Sequence, residues 1–463
     1  MDNLPDQLVW EIFSRITNIA DRNSISLVCK RFLNLDNEQR KHIRVDCGSN
    51  PANEALTLLC RRFRNLNKVE ITYCPWMSKL KKQLEDPELL VLSNACPFLT
   101  DLTLSYCTYI TDVGLSYLAS CSKLSSLKLK DTSRITGSGI FSIVVNCKNL
   151  KSLHLVRCLN VTNLEWLECL GGLETLEDLC IKNCSGIGEG ALVKLGATWR
   201  NIKRLHFEVD YSYMYMKLDD LLAVDQWQKQ WVSCDNMVEL SLINCMINPG
   251  RGLACILDKC KNLEKLHLDM CIGARDLDII GLARNSRNLR SISISVPADW
   301  MMEHPSSLTD DSLKALTENC TLLESLTLSF LDGDRPSPSS FSLNGILDLN
   351  KKCSIKNLSL DRVYLFNDIG MEALCCCDHL ETLELVRCQE ISDEGLELVV
   401  HYPRLRVLRL TACHKVSDDG FRPLIVSGKL ELLVVNDCRH VGYWGVQGAA
   451  KDVSFKPDLS CFH

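Results

Sequence analysis

The stretch "LETLELVRCQEISDEGL", residues 380–396, decides the fold. Leu383 and Leu385 alternate with Glu384, the period of a short strand with one buried face. Cys388 follows, where the chain has to turn, and Ser392-Asp393 then reads as a helix N-cap. The same order returns in "LTDLTLSYCTYITDVGL" from Leu99, "LKSLHLVRCLNVTNLEWL" from Leu150 and "LRVLRLTACHKVSDDGF" from Leu405. The shared form is L-x-x-L-x-L-x-x-C-x-x-I/V, often followed by S/T-D-x-G-L. Cys158 to Cys184 and Cys245 to Cys271 are 26 residues apart; Cys388 to Cys413 and Cys413 to Cys438 are 25.

That period falls in the range of leucine-rich repeats. Each unit is one strand and one helix, the helix start marked by Thr111-Asp112, Ser392-Asp393 and Ser417-Asp418. No unit can bury its leucines alone, so neighbours must stack. A cysteine beside the strand is small, tolerates burial and can still donate weakly to a carbonyl. Fourteen such strands are expected between Lys68 and Cys438. The expected class is α/β: a right-handed leucine-rich-repeat solenoid, a horseshoe with an inner parallel sheet and outer helices. Strands about 4.8 Å apart beside helices about 10 Å wide require the bend.

Composition bounds the function. The 463 residues are 24% charged and 46% hydrophobic, with net charge −6, so nothing global points to nucleic acid or an anionic membrane. No apolar run reaches the roughly 20 residues of a membrane span. "MDNLPDQLVW" lacks the basic and apolar regions of a secretory signal, which places the protein in the nucleus, the cytoplasm or both. The 26 cysteines are then packing residues, not disulfides. Cys375, Cys376 and Cys377 have no second cluster to complete a zinc site, so no metal is expected. No G-x-x-x-x-G-K-S/T, H-E-x-x-H or G-x-S-x-G is present, and no catalytic residue is expected.

Four units are longer than the period, through "PWMSKLKKQLEDP" from Pro75, "YSYMYMK" from Tyr211, "ADWMMEHPSS" from Ala298 and "DGDRPSPSSF" from Asp332. Each follows a strand, so all are expected on one rim, where insertions often bind. Tyr213, Tyr215 and Trp300 are the candidate contacts there. On the inner face the strand positions between leucines include Lys128, Lys130, His154, Lys182, Arg204 and His206, with Lys265 and His267 beyond. Such a row suits an acidic or phosphorylated segment or a polyphosphate, although Glu208 and Asp269 lie close in sequence.

The first 45 residues leave the repeat. "LPDQLVWEIFSRI" starts a helix at Pro5 with Leu8, Ile12, Phe13 and Ile16 expected on one face. In "ADRNSISLVCKRFLNL" Asp21 is the expected cap, followed by Ile25, Val28, Cys29 and Phe32, and "NEQRKHIRV" is expected to form a third short helix running into an extended end. Leu4, Pro5 and Leu8 would leave an apolar edge. This run, "LPDQLVWEIFSRI … DRNSISLVCKRF", resembles an F-box, of the plant kind found ahead of leucine-rich repeats, including the auxin- and jasmonate-receptor type. The resemblance covers the chain as an F-box at 1–45 and a solenoid of about 14 repeats at 46–463. It implies a non-catalytic substrate receptor of a Skp–cullin–F-box ubiquitin ligase. Its partners would be a Skp-type adaptor, through it a cullin, and a target protein. By that likeness Leu4, Pro5, Leu8, Ile12, Val28 and Cys29 face the adaptor. Phe32 stands where many members carry tryptophan, and the hormone receptors have more repeats, so hormone binding does not carry over. The likeness also suggests an inositol polyphosphate on the basic row. A small-molecule-dependent co-receptor, or a scaffold without ubiquitin function, remains an alternative.

Overall fold

The computed structural model describes residues 4–16, 18–47, 52–74, 83–210, 234–245, 252–296, 308–330 and 341–458. The chain forms two compact units, Met1–Ile202 and Lys203–His463. In the first, six strands pair in chain order and all in parallel: β1 His42–Cys47, β2 Lys68–Tyr73, β3 Asp101–Ser105, β4 Ser126–Lys130, β5 Ser152–Val156 and β6 Asp178–Lys182. In the second, ten do the same: β7 Arg204–Glu208, β8 Glu239–Ile243, β9 Lys265–Asp269, β10 Ser291–Val296, β11 Ser325–Phe330, β12 Asn357–Asp361, β13 Thr382–Val386, β14 Val407–Thr411, β15 Leu430–Asn436 and β16 Ala450–Lys456. The expected fourteen are β2–β15. Two more flank them, and residue 45 falls inside β1.

Register explains the leucines. Leu102, Leu127, Leu153 and Leu179 stand in line across four strands, and Leu104, Leu129, Leu155 and Ile181 form the next row. All eight are at most 1% exposed. Each leucine buried in this way contributes about 1.5–3 kcal/mol, but only because its neighbour supplies the other wall.

The cysteine position closes the strand end. Cys184 Sγ lies 3.7 Å from the carbonyl of Leu155, Cys388 3.5 Å from that of Leu360, and Cys413 3.5 Å from that of Leu385. Each thiol thus sits between the carbonyl of the second inward leucine of the preceding strand and a carbonyl of its own strand, either of which can accept its proton; for Cys184 the nearer is Lys182, at 3.4 Å. The residue just before it turns the chain inward through a left-handed backbone. Arg157, Asn183, Met270 and Arg387 have φ between 48° and 54°. That conformation costs a non-glycine residue about 1–2 kcal/mol. It lets the amide of Arg157 reach the Lys182 carbonyl at 2.8 Å before the chain leaves the sheet.

The S/T-D-x-G signature is a ladder between repeats. Ser417 Oγ caps its own helix by accepting from the Asp419 amide at 3.3 Å. Asp393, first residue of the preceding helix, accepts from the Ser417 amide at 2.7 Å and from its hydroxyl at 2.6 Å. Asp86 with Thr111, Asp112 with Thr136, Asp310 with Ser342 and Asp368 with Ser392 repeat the arrangement. The glycine makes room for that carboxylate: a Cβ on Gly420 would stand 2.6 Å from Asp393 Oδ1. Gly420→Ala should cost about 1–3 kcal/mol by overpacking. Asp393→Ala should cost a similar amount through its lost charge-assisted bonds. The double variant should be less destabilised than the sum by about 1 kcal/mol, measured by urea unfolding. Strict additivity would mean that the two positions do not share one site.

Candidate functional site

The N-terminal helices are α1 Asp6–Arg15, α2 Ile19–Ser26 and α3 Lys30–Gln39. Their interior is small: Val9, Phe13, Phe32 and Leu35, with Leu4, Ile16 and Ile25 half-buried against them. Phe13 and Phe32 meet edge to face, centroids 5.6 Å apart. The expected apolar face of α1 divides here. Phe13 points inward, whereas Leu8 and Ile12 are 47% and 49% exposed. α2 is capped by Asn18, whose Oδ1 accepts from the Ala20 amide at 2.9 Å, and not by Asp21. α2 ends at Ser26, so Val28 lies beyond it and is 70% exposed. Cys29 is likewise exposed, as the N-cap of α3, its sulfur accepting from the Phe32 amide at 3.4 Å. The third helix begins at Lys30, earlier than expected, and the expected extended end, "HIRV", opens strand β1.

Of the six residues expected to face a partner, Pro5, Leu8, Ile12, Val28 and Cys29 are exposed. Leu4 serves the interior. Sequence reasoning missed Leu27, 77% exposed beside Val28, and Trp10 at 42%. It also missed the polar lock beneath them. Asp36, wholly buried, accepts from Arg22 Nε at 2.8 Å and from Arg40 Nη2 at 2.6 Å. The i, i+4 spacing of Asp36 and Arg40 was the available signal.

On the strand face of the first unit, Thr103, Lys128, His154 and Cys180 share one row, and Ser105, Lys130, Val156 and Lys182 the next. Lys128 and Lys130 are exposed, and Lys130 Nζ lies 5.3 Å from the Tyr106 ring centre. His154 Nε2, however, is 3.1 Å from Asp178 Oδ2. In the second unit His206 Nε2 is 3.6 Å from Glu208, and Lys265 Nζ is 4.0 Å from Glu239. Arg204 is exposed on the same face. The strand face of each unit is therefore of mixed sign, and on the first a polyphosphate would meet Asp178 as well as the lysines. Tyr213, Tyr215 and Trp300 lie outside the described residues, as do most of the four insertions. Among the described residues there is no cluster of three or more metal-ligating side chains. Among the same residues no helix is long and apolar enough to cross a membrane.

A three-helix module with a filled interior and an exposed apolar set precedes strand–helix units, the order of a repeat protein with a separate N-terminal module. A family model described as F-box matches residues 1–42, and one described as Leucine Rich repeat matches residues 95–119 and 376–400. Both matches agree with the fold: helices over residues 1–42, strand–helix units over 95–119 and 376–400, and so a likeness to F-box proteins with leucine-rich repeats. It is 23% identical to Coronatine-insensitive protein 1 of Arabidopsis thaliana, over 79% of this chain and 69% of that protein. It is 22% identical to Coronatine-insensitive protein homolog 1b of Oryza sativa subsp. japonica, over 76% and 70%. F-box protein MAX2 homolog A of Petunia hybrida is 24% identical over 83% of this chain, which spans 49% of that relative. The solved Rad7 and Elc1 complex in yeast superposes with a TM-score of 0.52 at 19% identity, over 85% of this chain and 90% of that one, a likeness of fold alone.

Proposed function

We propose that the chain is the substrate-recognition subunit of a Skp–cullin–F-box ubiquitin ligase. Residues 1–45 dock a Skp-type adaptor, and through it a cullin. The repeats that follow, to residue 463, hold a target protein. The single observation that carries this reading is the exposed apolar set Leu8, Ile12, Leu27 and Val28 on a module whose own interior is already filled. Water-exposed side chains of this size, gathered on so small a module, favour a partner. The subunit acts by proximity, holding a target where a recruited conjugating enzyme can transfer ubiquitin. Nucleus and cytoplasm both suit this role.

The test uses Leu8→Asp with Val28→Asp, because Leu4 packs inward and its loss would confuse docking with folding. Binding of a purified plant Skp-type adaptor should fall by about 100-fold or more, the range of lost central anchors, with unfolding of the chain unchanged. Normal binding by the folded double variant would refute the docking surface. Lys128 and Lys130 support a second contact, with an acidic target segment or an inositol polyphosphate. A ligand-dependent co-receptor reading rests on the insertions, outside the described residues.

A further inference from the structure

Among the described residues β16 is the last strand of the second unit. Its Val453 and Phe455 continue the two inward rows, in register with Leu433 and Val435 of β15. Leu433 and Val435 are wholly buried, whereas Val453 and Phe455 are only half-buried. Repeat arrays usually end in a polar cap. This end is apolar instead. Tyr443 and Trp444 stand beside it, 52% and 83% exposed. The Tyr443 ring lies 6.0 Å from that of Phe455 and 5.2 Å from that of Trp444.

The backbone fixes how this strand can pair. The Asp437 amide donates to the Lys456 carbonyl at 2.9 Å, so Lys456 turns toward β15. Along a parallel strand the N–H and C=O of one residue point the same way, and the direction alternates from residue to residue. Asp452 and Ser454 therefore also turn toward β15. Val453 and Phe455 offer their N–H and C=O groups at the outer edge, where such groups are a template for a further strand.

The edge is complementary to itself. In an antiparallel pair, edge-facing residues stand opposite edge-facing residues, so a two-fold axis has to pass through a residue. With the axis at Ser454, Val453 faces Phe455 of the second copy and Asp452 faces Lys456 of the second copy, each pair occurring twice. Lys451 then faces Pro457 and Ala450 faces Asp458, so like charges are not opposed. An axis at Val453 would instead set Asp452 against Ser454 and Lys451 against Phe455, leaving the charges unmatched. Asp452 and Lys456 are both exposed, and the Lys456 contact with Asp437, at 3.8 Å, is loose. Asp458 is held by Arg439 at 3.2 Å.

We propose that β16 pairs antiparallel with β16 of a second copy of this chain, about a two-fold axis at Ser454. The pairing covers the half-buried Val453 and Phe455 and brings Tyr443 and Trp444 to the border of the contact. It does not depend on the adaptor surface proposed above. Its consequence is bivalence: two sets of repeats in one assembly hold a target that carries two recognition segments more tightly than either set alone.

Sedimentation equilibrium of the full chain in reductant tests this pairing. The wild type should show a monomer–dimer equilibrium with a Kd of about 10 μM, the strength of a small interface. Asp452→Lys and Lys456→Asp each set like charges opposite one another and should weaken the dimer about tenfold or more. Lys456→Asp also meets Asp437 of its own chain, so Asp452→Lys is the cleaner single variant. Asp452→Lys/Lys456→Asp restores opposite charges and should recover wild-type affinity to within about threefold. Both positions are exposed, so urea unfolding of all three variants should match the wild type. A monomer at about 100 μM would overturn the proposal and leave the edge to a different partner. A dimer indifferent to both single reversals would place the contact on another surface. Single losses without recovery in the double variant would exclude pairing of this edge with itself. Either result refutes the proposal.

Discussion

Raising the pH from 8 to about 10.5 should unfold the repeats in a steep, proton-linked transition. The cause is the number of thiols that the fold keeps protonated. Burial pushes Cys121, Cys147 and Cys438 up to about 11 from the usual 9.0. Cys377 also rises to about 11, by burial first and then by neighbouring Cys376. Cys320 and Cys388 rise to about 12, and Cys413 rises as well. Six of these seven are at most 6% exposed, so solvent does little to screen the effect.

The sign follows from proton uptake. Below about pH 9 the thiol is protonated in both states and stability does not depend on it. Between about pH 9 and 11 the unfolded chain releases a proton that the folded chain keeps, so stability falls as pH rises. One such group contributes about 1.4 kcal/mol per pH unit, and six together about 8 kcal/mol per unit, against a usual total of about 5–15 kcal/mol. Unfolding free energy, measured by urea titration at successive pH values in reductant, should be nearly flat from pH 7 to 8 and then drop with a slope near six protons. Replacing Cys147 and Cys320 by alanine should reduce that slope by two, whatever it does to stability at neutrality. An unchanged slope would mean that these thiols ionise freely in the folded chain.

These thiols also mark where sequence reading stopped. The strand cysteines were legible because their spacing of 25 or 26 residues is the repeat itself. The same regularity hid a second buried set at or just after the helix ends, including Cys60, Cys96, Cys121, Cys147, Cys260, Cys320 and Cys377, which alignment on the strands passes over. β1 was legible only as an extended end and β16 not at all, because "HIRVDC" and "AKDVSFK" carry no leucine pair. A strand that is recognised only by its partner has no signal of its own. The basic row was read along single strands, where Asp178 looks unrelated to His154; only the register of β5 and β6 brings them to 3.1 Å. In the F-box, Leu8, Ile12 and Phe13 fall on neighbouring faces of one turn, and hydrophobicity alone does not say which enters a core of four side chains. Tyr213, Tyr215 and Trp300 stay proposals of the sequence.

Asp36→Ala should unfold the F-box helices while leaving the repeats intact. The carboxylate is the sole acid between Arg22 on α2 and Arg40 at the end of α3 in the buried trio, and the two guanidinium groups are only 20% and 7% exposed. Removing one partner of a buried ion pair costs about 3–5 kcal/mol, because the remaining charge has lost both its counter-ion and its water. The four side chains of the core cannot absorb that, since so small a module buries little apolar surface. Hydrogen exchange should lose protection across residues 6–39 and keep it in β3–β6, with adaptor binding lost in parallel. Arg22→Met, Asp36→Leu and Arg40→Met made together should restore much of the protection, since an apolar trio of similar volume is often as stable as a buried ionic one. Full protection in Asp36→Ala would show that the F-box is held by its contacts with the repeats and not by this pair of ion bonds.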